Sequence, residues 1–186
     1  MKKIEIEIPD GKEAKWVNGV LSLVDVEDNR PITERVKTFE DACAVLGENH
    51  LYVQMFQDIY TKSEKAGANV NSDVVAYLKL RIITAALNEG WEPQFTSDEW
   101  RWYPWFRLLT KSDIEELSEE ERCLVVGRAY NIADAYGGLV YAYADSVSTY
   151  SFTSYGSRLA FKSEELAYYA GTQFAEIYAN FCFIPE

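Results

Sequence analysis

The sequence predicts an α+β fold: an N-terminal β-meander, a helical middle segment, then an antiparallel sheet packed with a C-terminal helix. Three patterns carry this expectation. Asn18-Gly19 lies between two apolar runs, as in a hairpin with a type I′ turn. Val74, Val75, Leu78, Ile82, Ala85 and Ala86 recur at helical spacing. Leu139-Val140-Tyr141-Ala142-Tyr143-Ala144 is the strand-forming composition of the second half.

Taken in order, Ile4, Ile6 and Ile8 alternate with Lys3, Glu5 and Glu7, the period of a half-buried strand. Pro9-Asp10-Gly11-Lys12 is a turn. Residues 1–26 form the meander, which is too thin to be stable alone, and residues 32–186 the main α+β domain. Glu27-Asp28-Asn29-Arg30-Pro31 reads as the linker between them.

Thr38 caps a short helix with Asp41 in capping-box position, and Gly47 ends it. A second helix is expected from about His50 to Tyr60, and the polar run from Thr61 to Asn71 as a loop. Asn71 or Ser72 caps the apolar helix that Gly90 closes; its wide apolar arc marks a central core helix. The acidic stretch from Lys111 to Arg122 holds a helical turn or two started by Ser112 or Ser118. Leu124-Val125-Val126 and Arg158-Leu159-Ala160-Phe161 read as short strands, and Gly137-Gly138 as a bend. The run from Ser146 to Ser157 is a hairpin loop or a continued edge strand. Ser163 caps one last helix with Leu166, Ala170, Phe174, Ile177 and Phe181 in a stripe.

Hydrophobic residues make up 48% and aromatics 15% of the 186 residues, enough for a substantial core. A net charge of -12 disfavours direct binding to nucleic acid or to anionic membranes, since both require a cationic surface. The N-terminal residues lack the apolar stretch of a secretory signal, and no run approaches the length of a membrane span. Cys43, Cys123 and Cys182 have no metal-binding spacing and read as small buried hydrophobes. Together these point to a cytoplasmic protein.

Trp91-Glu92-Pro93-Gln94-Phe95, Tyr103-Pro104-Trp105-Phe106, the run from Ala135 to Ala142 and Gly156-Ser157-Arg158-Leu159-Ala160-Phe161-Lys162 form a recognisable set. It resembles an uncharacterised family of hypothetical proteins from gut Bacteroidetes and their phages and mobile elements. The resemblance implies bacterial or phage provenance and carries no functional residues.

Catalytic chemistry has few candidates. His50 is the only histidine and reads as a cap or surface residue. No nucleophile elbow, phosphate cradle or dinucleotide motif is present, so no catalytic residue, metal or cofactor is assigned. Carboxylate-only chemistry is the enzymatic route the composition permits, through Glu92, Asp98 and Glu99 among aromatics.

Binding centres on the aromatic segment from Trp91 to Phe106, with Trp100, Arg101, Trp102, Trp105 and Arg107 as candidate ligand-binding residues. In an extended chain Trp100, Trp102 and Phe106 share one face, with Arg101, Tyr103 and Trp105 on the other. Buried, the segment joins sheet to helices; exposed, it stacks sugars, bases or a Pro-rich peptide. The leading functional expectation is a non-enzymatic interaction or accessory protein with a protein partner or self-association. The alternatives are a small-molecule or carbohydrate-binding module, which predicts a concave site at these tryptophans with carboxylates nearby, and an acidic nucleic-acid mimic.

Overall fold

Asn18 (φ 50°) and Gly19 (φ 81°) both take the left-handed backbone that a type I′ turn demands. They join β1 (Lys12–Val17) to β2 (Val20–Asp25) in register from Val17 opposite Val20 to Lys12 opposite Asp25. The computed structural model describes residues 6–26, 28–67, 73–94, 96, 98–123, 125–126, 138–148 and 156–182. The chain divides into two compact units, Met1–Pro31 and Ile32–Glu186.

In the first unit the Lys12 amide closes the expected turn on the Pro9 carbonyl at 3.0 Å. Ile6 and Ile8 depart from expectation: they lie outside any strand and are about half exposed, at 48% each. Alternation can only bury a face that another element covers. Trp16, at 74% exposure, and Val20 are open to solvent on the hairpin.

The second unit is built around α4 (Asp73–Asn88), whose ten buried residues include Leu80, Ile82, Ile83 and Leu87. Around it lie α1 (Ile32–Arg35), α2 (Phe39–Leu46), α3 (Leu51–Lys65), α7 (Glu164–Gln173) and α8 (Ala175–Cys182). Val36, Ala42, Val53, Phe161, Leu166 and Ala170 complete the main core. Thr38 and Asp41 make the expected capping box on α2, and Gly47 (φ 83°) ends it. His50 caps α3, its Nδ1 accepting from the Tyr52 amide at 3.3 Å. The expected caps of α4, Asn71 and Ser72, lie outside the described residues.

β3 (Trp100–Leu109) pairs antiparallel with β4 (Gly138–Ser148). The register shifts at Trp105/Phe106, where Tyr143 and Tyr141 are the successive partners, so Ala142 is the extra residue of a bulge. On its other edge Trp102 exchanges both backbone hydrogen bonds with Phe161, at 3.0 and 2.8 Å. α7 packs on both strands. It reaches them through Gly171, where a Cβ would stand 2.5 Å from the Tyr141 ring and 2.7 Å from the Pro104 Cβ. The fold is therefore α+β, with an N-terminal hairpin and an antiparallel sheet packed with helices.

Several local expectations are corrected. α3 runs on through Lys65, so the polar run from Thr61 begins as helix. Thr110, not Ser112, caps α5 (Lys111–Glu116), and Ser118 caps α6 (Glu119–Arg122). Arg158 and Leu159 belong to a 3-10 turn (Ser157–Leu159), leaving Phe161 as a single bridge residue. The last helix is two: Phe174 (φ −115°, ψ 25°) breaks it between α7 and α8, a bend that puts Phe174 into the core. Cys43 is half-buried, whereas Cys123 and Cys182 are exposed. Leu124 and Gly137 lie outside the described residues, as do 149–155 of the expected Ser146–Ser157 loop.

Candidate functional site: a tryptophan groove and an arginine cleft

Extended backbone sends alternate side chains of β3 to opposite faces, and the candidate residues separate accordingly. Trp100 is 57% exposed and Trp102 half-buried, while Arg101 between them is 1% exposed. Arg101 Nη1 donates to Ser157 Oγ at 2.6 Å, which ties β3 to the 3-10 turn. Arg101 is thus a structural residue and stands outside the groove formed by its neighbours. Beyond the bulge, Trp105 stacks on Tyr143 with ring centroids 6.1 Å apart and an interplanar angle of 9°. Arg107 donates to Asp113 Oδ1 at 2.7 Å. The Thr110 hydroxyl and amide, together with Arg107, hold the Asp113 carboxyl below its ordinary range. Trp105 and Arg107 therefore serve sheet and helix contacts away from Trp100 and Trp102.

Trp100 and Trp102 meet Trp91, Glu99, Ser146 and Lys162 around one open groove of about 590 Å³. Each lining residue has a local reason for its place. Trp91 follows the left-handed pair Glu89 (φ 49°) and Gly90 (φ 85°) that turns the chain off α4, its amide closing on the Asn88 carbonyl at 3.0 Å. Glu99 accepts the Gln94 amide through both oxygens, at 3.0 and 2.9 Å, holding the 91–94 segment against the start of β3. Lys162 Nζ donates to the Asn88 carbonyl and to Glu89 Oε2, each at 3.3 Å. Three indoles, a carboxylate, a hydroxyl and an ammonium thus border one concavity.

A second cavity, of about 350 Å³, shares Trp91 and is otherwise lined by Tyr52, Arg81, Thr84, Ala85, Asn88, Glu92, Pro93, Ser157, Arg158 and Ala160. Arg81 lies over the Tyr52 ring with Cζ 4.3 Å from its centroid, and donates to the Tyr52 and Tyr77 hydroxyls. Asn88 is held from both sides, its Nδ2 donating to the Ala160 carbonyl at 2.8 Å and its Oδ1 accepting the Lys162 amide at 3.1 Å.

The sequence reading reached the groove through Trp100 and Trp102, and named Glu99 and Trp91 as neighbours. It missed the cleft, because Tyr52, Arg81 and Arg158 are far apart along the chain and no local pattern links them. Asp98 lines neither cavity, while Glu92 lines the cleft and Glu99 the groove. Among the described residues no group of three or more His, Cys, Asp or Glu could hold a metal ion. No described helix is long and apolar enough to cross a membrane. Comparison with protein-family models, with curated proteins and with solved structures finds no match to this chain.

Proposed function

We propose that the 32–186 unit is a non-enzymatic binding module for a saccharide or a similarly amphipathic, ring-shaped small molecule, held in the tryptophan groove. The observation that carries this reading is the convergence of Trp91, Trp100 and Trp102 on one open concavity beside Glu99 and Ser146. A sugar ring has an apolar face that stacks on an indole and equatorial hydroxyls that a carboxylate can accept. Trp100 and Trp102, two residues apart on one strand, stand about 6.7 Å apart along it, so the surface suits more than one ring. The net charge of -12 favours a neutral ligand over a polyanion for this open face.

Titration of intrinsic tryptophan fluorescence with a panel of neutral oligosaccharides tests it. Saturable binding by at least one, weakened about tenfold in Trp100→Ala, is expected; that factor corresponds to about 1.4 kcal/mol. Absence of any spectral response across the panel, or an unchanged affinity in the variant, would refute the reading.

A second reading, an interaction protein acting through a partner or self-association, is favoured by the hairpin of the first unit. Its Trp16, Val20 and Leu23 are exposed on a two-stranded ribbon, where isolated hairpins are seldom stable. Sedimentation velocity is the test: a concentration-dependent increase in mass that Trp16→Ser abolishes supports it, and a strict monomer counts against self-association.

A further inference from the structure

Besides the groove, the second unit contains a cavity whose polar lining consists largely of donors. Arg81 and Arg158 both line the cleft, and among the described residues neither forms an ion pair. In a chain with 30 acidic and 18 basic residues, two guanidinium groups on one cavity with no ion-pair partner among the described residues call for an explanation. A guanidinium carries five N–H donors, and the two phenols engage only part of that capacity at Arg81. Packing on the Tyr52 ring fixes the plane of the Arg81 fork, so little freedom is lost when it takes a planar, bidentate partner.

Two hydroxyls add to this. Thr84 is 4% exposed, and its buried Oγ1 has no hydrogen-bond partner among the described residues. An orphaned buried hydroxyl is unfavourable unless something satisfies it. Ser157 Oγ accepts from Arg101, which leaves its own proton to donate. Asn88 is held by one hydrogen bond on each side of its amide, so its main part is to shape the cleft. Trp91, Pro93 and Ala85 supply apolar wall, and a volume of about 350 Å³ matches a small organic molecule. Glu92, exposed, is the one carboxylate on the lining.

We propose that this cleft binds a small organic oxyanion, a phosphate or carboxylate carried on a ring-sized apolar body, through the guanidinium groups of Arg81 and Arg158. The Thr84 and Ser157 hydroxyls donate to the same group, and the apolar body lies against Trp91 and Pro93. The proposal does not rest on the saccharide reading, since Trp91 is the one residue the two cavities share.

Phenyl phosphate and benzoate, with benzyl alcohol as the uncharged control, are titrated at low ionic strength into the full chain while tryptophan fluorescence is followed. Both anions are expected to bind saturably and at least tenfold more tightly than benzyl alcohol, with affinity falling as salt rises. The tighter of the two identifies the oxyanion. Arg158→Ala, an exposed position, should weaken both about tenfold with an unchanged circular dichroism spectrum, and Glu92→Gln should tighten them. Trp100→Ala should leave anion binding intact, which separates this cleft from the groove. Equal affinity for benzyl alcohol and benzoate, absence of saturation by either anion, or unchanged anion affinity in Arg158→Ala overturns the proposal, as does weaker binding in Glu92→Gln.

Discussion

Asn88, at the end of α4, donates its side-chain amide to the carbonyl of Ala160 at 2.8 Å, across 72 residues of sequence. The same side chain accepts the Lys162 amide at 3.1 Å, so one buried residue holds the segment that enters β3's second edge at Phe161. Replacing Asn88 with Ala orphans the carbonyl of buried Ala160 and breaks this clamp. A loss of about 2–4 kcal/mol is expected, read as a lower urea midpoint. An unchanged midpoint would show that water or a shifted backbone serves equally well.

Gly171 is required by close approach rather than by backbone conformation. A methyl group there meets the Tyr141 ring and Pro104 at 2.5–2.7 Å, well inside contact distance. Gly171→Ala gains about 1 kcal/mol of helix propensity but overpacks the face between α7 and the sheet, typically at about 1–3 kcal/mol. Net destabilisation is expected in thermal unfolding; a rise in Tm would mean that the Tyr141 ring moves aside freely.

Thr84→Val keeps the shape of the side chain and removes its buried, unpartnered hydroxyl. The ligand-free protein should gain about 1 kcal/mol. Binding of phenyl phosphate should weaken at the same time. A variant both more stable and equally good at binding would detach Thr84 from the oxyanion cleft.

Burial pushes the Tyr141 phenol up to about 12, with the Tyr168 and Glu164 charges adding to the effect. The folded state then holds a proton that the unfolded chain releases near pH 10. Stability from this group is complete below pH 10 and is lost as pH rises toward about 12. Tyr141→Phe should therefore flatten the alkaline fall in Tm over that window. Parallel curves for wild type and variant would assign the fall to other groups.

Backbone and side-chain groups of Thr38, with the Lys37 amide, hold the Asp41 carboxyl below its ordinary 3.8. A lowered carboxylate contributes stability that is present above 3.8 and lost as pH falls through its folded value. Asp41→Asn should lower Tm near neutrality, and the gap from wild type should close in acid below that value. A gap that persists at pH 2 would mean the change acts through packing instead.

Local features were legible where local sterics decide them. Asn18-Gly19 makes its turn because both residues tolerate positive φ. Thr38 with Asp41 makes its cap because the partners are three residues apart. The wide apolar arc of α4 foretold its central place, since a helix apolar on several sides must be covered on several sides. The shared face of Trp100 and Trp102 followed from strand geometry alone.

What escaped depends on distant partners. Residues 158–161 carry a strand-like composition, yet Phe161 finds its bridge only at Trp102 and the preceding residues coil into a turn. The stripe from Leu166 to Phe181 is periodic, yet packing breaks it at Phe174. Alternation could put Arg101 opposite the tryptophans but could not say that its face is covered, and so it read as a binding residue.

By itself the sequence determined the α+β class, the type I′ hairpin, the caps at Thr38, Ser118 and Ser163 and the concentration of aromatic side chains between Trp100 and Phe106. These depend on backbone sterics and on neighbours within one or two turns. The tertiary structure alone decided which aromatics stay open and which cations lie together. Trp91 joins Trp100 and Trp102 only because the chain reverses at Glu89 and Gly90. Arg81 and Arg158 line one cleft only because Asn88 clamps the 160–162 segment to α4. Burial and juxtaposition are properties of pairs far apart in sequence, and no local pattern encodes them.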